Sequence, residues 1–178
     1  MKDIMIYLET MGQGPNAAII ALGAVEFNVE KSLLGRDFYE VVDLQSSIAS
    51  GGVADASTIL WWMKQSDEAR KEFAREGIPI SKVLFEFSMW LFEAAERSKL
   101  CIWGNGATFD NVILSSAYRN AKLEQPWMYY GDRCYRTIKN LHPDIKMERQ
   151  GTYHNALDDA KSQAVHLIAM LNPSGALL

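Results

Sequence analysis

Apolar positions over residues 1–43 come in short runs rather than recurring every third or fourth place, which is the signature of strands. Ile4-Met5-Ile6-Tyr7-Leu8 is such a run. It ends on a carboxylate, Glu9, and is followed by Gly12, Gly14 and Pro15, so a buried strand is predicted with Glu9 at its C-terminal end. Residues 17–28 predict a second strand, apolar enough over 17–25 to be buried on both faces. A turn through 30–35 leads into a third strand over 36–43, carried by Phe38, Val41 and Val42. Strands joined by such short connections pair antiparallel, with the first expected at the centre. Residues 44–54 read as a polar, glycine-bearing loop.

The period then changes. Asp55 is placed to cap a helix over 58–65, and Ser66-Asp67-Glu68 to cap another over 69–76, stopped by Gly77 and Pro79. Val83, Leu84, Phe87, Leu91 and Ala94 form the inner stripe of a helix over 81–98. Residues 99–103 predict a fourth strand running into Gly104-Asn105-Gly106. A helix over 108–121 follows, with Asp110 in its first turn, where the helix dipole favours a carboxylate. This strand, turn and helix should bring Asp110 near Glu9. Residues 126–131 predict a short fifth strand, 133–141 a helix ended before Pro143, and 144–152 a polar loop. The last helix, over 155–171, buries Ala156, Leu157, Ala160, Ala164, Leu167, Ile168 and Leu171, and a loose tail is expected over 172–178. Three antiparallel strands followed by alternating strand and helix give an α/β fold, a mixed sheet flanked by helices.

Composition narrows the class. The 178 residues, 48% hydrophobic, suit one domain over 1–178. No apolar run approaches the roughly 18 residues of a membrane helix, and the expected setting is cytoplasmic. Cys101 and Cys134 have no metal-like spacing and are expected to be reduced thiols. The net charge of -4 argues against a broad basic surface for nucleic acid. It does not exclude a nuclease that gathers carboxylates and lets cations meet the phosphate.

Glu9, Asp110 and the segment His154-Asn155-Ala156-Leu157-Asp158-Asp159 are far apart in sequence but all fall at element ends. Three acidic points and a histidine are the parts that two-metal phosphodiester chemistry needs, and hard oxygen ligands suit Mg²⁺ or Mn²⁺. Residues 4–12, 104–111 and 154–159 together resemble the three motifs of the DEDDh 3′-to-5′ exonucleases, the group containing RNase T and the polymerase proofreading subunits. Met11-Gly12 after Glu9-Thr10, the run over 16–25 and the pair Trp61-Trp62 are similar to small phage and bacterial exonucleases related to the exonuclease VIII family.

The resemblance implies a ribonuclease H-like fold and release of nucleoside monophosphates from the 3′ end of single-stranded DNA or RNA. It implies two metal ions, Mg²⁺ or Mn²⁺, with Glu9 and Asp159 holding one directly and Asp110 acting through water. His154 would be the general base. Thr10 and Met11 would meet the 3′-terminal nucleotide, Met11 as an apolar wedge against the base, and a homodimer is a possible assembly. Asp158 and Asp159, adjacent on a helix, diverge by roughly 100° and cannot both face one ion. The histidine-to-aspartate spacing of the family selects Asp159 and leaves Asp158 as a solvated or capping residue. The tyrosine subtype would want tyrosine where Asn155 stands.

One position departs from the pattern: Tyr7 stands where the family has aspartate. A phenol with a pKa near 10 removes a negative charge, and the second ion should suffer most. Asp3, four residues earlier on the same strand face, is roughly 13 Å away and too far to substitute. An exonuclease impaired by Tyr7 is expected, with a non-catalytic nucleic-acid-binding module on the same fold as the alternative.

Other residues have two readings. Trp61 and Trp62 cannot both enter one core from a helix, which leaves one for base stacking; Trp62 and, in the glycine turn, Asn105 are the substrate contacts expected. Arg133, Arg136 and Lys139 recur every three residues, either tracking phosphates or forming a solvated face. His142 and His166 read as structural.

Overall fold

The computed structural model describes residues 1–71 and 74–172. β1 (Lys2–Thr10) is the central strand of a five-stranded sheet ordered β3-β2-β1-β4-β5. It pairs antiparallel with β2 (Ile19–Asn28), which pairs antiparallel with β3 (Leu33–Val41). On its other side β1 runs parallel to β4 (Leu100–Gly104), and β4 parallel to β5 (Asp132–Cys134). The mixed sheet with flanking helices is the ribonuclease H-like layout.

The period of two along β1 sorts its side chains between two layers. Ile4, Ile6 and Leu8 enter a core with Val83, Leu84, Phe87 and Leu91 of α4 (Ile80–Ala94) and Ile113, Leu114 and Tyr118 of α5 (Val112–Asn120). Met5 faces the other way, with Tyr7 beside it, against Ala160, Ala164, Leu167 and Ile168 of α7 (Ala156–Leu171). Glu9, two places beyond Tyr7, therefore points to the α7 side at the C-terminal end of the strand. Gly23, paired with Tyr7 across β1 and β2, lets α7 come down at that point, since a Cβ there would run into the backbone of Ala156 and Leu157.

Several boundaries differ from expectation, each for a local reason. Within 44–54 lies a short helix, α1 (Leu44–Ala49), because the Asp43 carboxylate accepts from the backbone N–H groups of Gln45 and Ser46 and starts a turn. The second strand begins only at Ile19, and the third begins earlier, at Leu33. α2 (Ala56–Trp62) directly follows Asp55, and α3 spans Asp67–Lys71. The predicted helix over 69–76 overlaps α3, with residues 72 and 73 outside the described ones. α4 stops at Ala94, where Ala95 turns extended, and a 3₁₀ turn follows at Arg97–Lys99.

The helix expected over 108–121 starts as a π-helical turn, Ala107–Asn111, before α5. The fifth strand is Asp132–Cys134, not 126–131. Trp127 is fully buried and its Nε1 donates to Asp132, which draws the preceding chain into the core and leaves a 3₁₀ turn at Tyr129–Gly131. α6 (Tyr135–Leu141) starts after β5, so Arg133 lies on the strand and the row with Arg136 and Lys139 is not one helix face. In the predicted tail, residues 173–178 lie outside the described ones. No helix of the described residues is long and apolar enough to cross a membrane.

Candidate active site

Glu9 ends β1 almost fully buried, 5% exposed. Asp110 reaches the same place from the π-helical turn after β4. Its Oδ1 accepts from the backbone N–H of Leu8 at 3.1 Å, tying the turn to β1. Asn111 fixes the turn from behind, its amide donating to the Ile102 carbonyl at 2.9 Å and to Asp132 at 2.8 Å. Gly104 permits the approach, because a Cβ there would strike the Asp110 and Asn111 side chains.

Asp159 comes from the first turn of α7. Asn155 caps that helix, its Oδ1 accepting from the N–H groups of Leu157 and Asp158 at 3.1 Å each. Asp159 is 1% exposed. The ligand atoms of Glu9, His154 and Asp159 all lie within 4.8 Å of one another. Asp110 lies near enough to act electrostatically on Glu9, so the structure brings Glu9, Asp110, His154 and Asp159 to one end of the sheet. Asp158 turns away, and its Oδ2 accepts from the Thr152 N–H at 2.7 Å, so it anchors the preceding loop.

Three carboxylates in one buried space repel one another. Burial, and then Asp159 and Asp110, push Glu9 up to about 9. Asp110 is pushed up to about 6 by burial, against the pull of the Leu8 amide. Asp159 is also raised, by burial, with Arg149 opposing. Glu9 Oε1, Asp110 Oδ2 and Asp159 Oδ2 are buried and have no hydrogen-bond partner. Unpaired buried oxygens of this kind are costly, and a divalent cation between Glu9 and Asp159 would satisfy two of them, with Asp110 left to meet it through water. With an imidazole beside them, this hard donor set fits Mg²⁺ or Mn²⁺.

Tyr7 shares the space. Its phenol is pushed far above its ordinary range by burial and then by Glu9, Asp159 and Asp110, so it is a neutral neighbour of the three carboxylates. Asp3 is engaged elsewhere, accepting from Trp103 Nε1 at 2.8 Å. His154 adopts φ 63°, in the left-handed region, and packs its ring edge-on against Trp61 and Trp62 at 5.1 and 5.5 Å. Burial holds its pKa below the usual value despite Asp159, so the imidazole is neutral at pH 7.

The substrate contacts expected from sequence are distributed less simply. Thr10 is buried, its hydroxyl donating to the Gly12 carbonyl at 2.7 Å, and it lines the cleft beside Glu9. Trp62, expected to stack a base, is only 4% exposed. Its Nε1 donates to the Thr10 carbonyl at 2.9 Å, holding it against Ile20 and Ala69. Trp61 is the exposed member of the pair, at 44%, and it also lines the cleft. Met11 packs, partly buried, against the small cluster of Ile20, Trp62 and Ala69 and lines a different depression, with Ile20, Val42 and Leu44, rather than the cleft that Glu9 lines. Asn105 is held by Arg136, whose guanidinium donates to its side-chain and main-chain oxygens.

His166 is buried between the Tyr135 hydroxyl at 2.7 Å and the Ile145 carbonyl at 2.8 Å, and His142 contacts the Ile138 carbonyl at 3.0 Å. Both histidines are structural.

Arg149 is the residue that sequence reasoning missed. Its guanidinium ion-pairs with Asp159 Oδ1 and lies 3.9 Å from the ring centre of Tyr153. A lone arginine in a polar loop carries no periodic signal. Only its place five residues before His154 hinted at the site.

Comparison with known proteins places the chain in context. The model of the Rv2179c-like 3′-5′ exoribonuclease domain matches residues 2–171. An exodeoxyribonuclease of Enterobacteria phage T4 is 31% identical over 131 residues, which is 67% of this chain and 57% of that protein. Among solved structures, the nuclease domain of 3′hExo, a DEDDh family member bound to rAMP, superposes with a TM-score of 0.64 at 18% identity, over 97% of this chain and 92% of that one. E. coli exonuclease I in complex with a 5cy-dA13 oligonucleotide gives a TM-score of 0.64 at 12% identity, over 97% of this chain and 41% of that one.

Proposed function

Because the chain belongs to the Rv2179c-like 3′-5′ exoribonuclease domain family within the DEDDh exonuclease superfamily, we propose that its cleft removes nucleoside monophosphates from the 3′ end of single-stranded nucleic acid. The observation that carries this reading is the set of three unpaired carboxylate oxygens, on Glu9, Asp110 and Asp159, buried together beside His154. Glu9 and Asp159 would hold Mg²⁺ or Mn²⁺, with Asp110 acting through water. A divalent ion bound there supplies Lewis-acid help to the attacking water and to the departing 3′ oxygen.

The chain's own groups do the rest. Neutral His154 takes a proton from the water as its oxygen bonds to phosphorus and the bond to the 3′ oxygen of the preceding nucleotide breaks. Trp61 offers its exposed ring to the terminal base, and buried Trp62 fixes the Thr10 backbone beneath it. Tyr7 is neutral where a fourth carboxylate would strengthen cation binding, so turnover in this chain is impaired.

The test uses end-labelled single-stranded DNA and RNA with Mg²⁺ or Mn²⁺. Trimming from the 3′ end is expected to be weak or absent for the chain and strong for Tyr7→Asp. No trimming by either would overturn the assignment. The same assay decides between DNA and RNA, on which the names of the relatives differ. The neutral phenol favours a second reading, a non-catalytic binding module, which requires metal-independent strand binding and no gain from Tyr7→Asp.

The chain is further read as one domain over 1–178 acting in the cytoplasm. It is also read as a homodimer, supported by the exposed stripe Phe85, Met89 and Phe92 on α4. Sedimentation should show a dimer that Phe85→Ser with Phe92→Ser converts to monomer.

A further inference from the structure

The three unpaired oxygens and Arg149 divide the site between them. Asp159 has one oxygen, Oδ1, taken by the Arg149 guanidinium, and the other, Oδ2, left without a partner alongside Glu9 Oε1 and Asp110 Oδ2. Formally Glu9, Asp110 and Asp159 carry three negative charges when ionised, and Tyr7 adds none. Arg149 is the cation in direct ion pair with them among the described residues, Arg136 acting on Asp110 only from a distance, which leaves two negative charges to be met, the complement of one divalent ion.

Arg149 is not a loosely placed surface side chain. Its loop is fastened to α7 at alternate residues: the Gln150 N–H donates to Ser162 Oγ at 3.0 Å, and the Thr152 N–H to Asp158 Oδ2 at 2.7 Å. Between them Gly151 takes φ 73°, and the Tyr153 ring lies under the guanidinium. Planar stacking on one side and a carboxylate on the other are the surroundings an arginine keeps and a lysine does not reproduce in geometry, though a lysine would keep the charge.

We propose that Arg149 is a built-in counter-cation of the carboxylate cluster, bonded to Asp159 alongside the ion, so that this chain binds one divalent ion and not two. This rests on the metal-dependent reading above and adds to it a charge-balancing residue: Arg149 takes one oxygen of Asp159 and supplies the charge that would otherwise call for a second ion.

The experiment is titration of the full chain with Mn²⁺ alone, followed by electron paramagnetic resonance of free Mn²⁺ and by calorimetry, for the wild type, Arg149→Gln and Arg149→Lys. One ion per wild-type chain is expected. Arg149→Gln should bind its first ion on the order of tenfold more tightly and take up a second, because a competing unit charge has been removed from a site of low effective dielectric. Arg149→Lys should stay near the wild-type affinity. Two ions of comparable affinity in the wild type would overturn the inference. So would an Arg149→Gln affinity that is unchanged, or weaker together with that of Arg149→Lys, as a purely loop-fastening role requires. Uptake of no ion by any of the three would overturn this inference and the metal-dependent reading together, whereas ion uptake without the Arg149 dependence sinks only the former.

Discussion

Trp61 and Trp62 are the same residue side by side, yet their environments make them do opposite things. Trp62 has its N–H paired with the Thr10 carbonyl and its ring in a small core, while Trp61 stands in the cleft mouth next to His154. Trp61→Ala should therefore leave the melting temperature nearly unchanged and weaken single-strand binding by about 1–3 kcal/mol, measured by fluorescence anisotropy. Trp62→Ala should cost about 3–5 kcal/mol of stability in denaturant unfolding, as a large buried side chain does. The adjacency of the two was readable, and so was the rule that a helix separates them. Which one goes inside was not, because that choice depends on a carbonyl 52 residues away. The packing of Met11 on the same small cluster was hidden for the same reason, since nothing in the first strand points to that cluster.

Among elements, α7 decides whether there is a site at all. Its apolar stripe was legible from residues 155–171 alone, since helical period is a local property, and the Asn155 cap came only with the structure. Its depth against the sheet is set by Gly23, which belongs to a strand read only as apolar. Gly23→Ala should push the first turn of α7 outward, lower stability by about 1–3 kcal/mol and weaken Mn²⁺ binding by moving Asp159 from Glu9; thermal unfolding and Mn²⁺ titration check both. The short helix at Leu44–Ala49 was taken for loop because polar residues fill it, although the Asp43 cap was present in the sequence. The π-helical start of α5 could not be anticipated, since it reflects the tie between Asp110 and the Leu8 backbone.

For the molecule as a whole, gathering carboxylates makes stability depend on pH and on cations. In the metal-free chain Glu9 keeps its proton up to about pH 9, while in the unfolded chain it gives it up near the ordinary value of 4.5. The folded state therefore holds the extra proton between these limits, and stability is greatest below that window and declines as pH rises through it. Asp110 adds to the decline up to about pH 6. The melting temperature in EDTA is expected to fall from pH 5 to pH 9, and Mn²⁺ should recover most of the loss at the alkaline end. A melting temperature that rises over that range in EDTA would contradict the burial of these groups.

The strand-rich first third, the alternating second part and the acidic points at element ends were determined by the sequence itself. Period, caps and motif spacing are properties of neighbouring residues. Only the tertiary structure decided the depth of α7 on Gly23, the inward turn of Trp62 and the pairing of Arg149 with Asp159. Each of these is fixed by what a distant segment brings against the residue, and that distant partner is invisible from the residue's own stretch of chain.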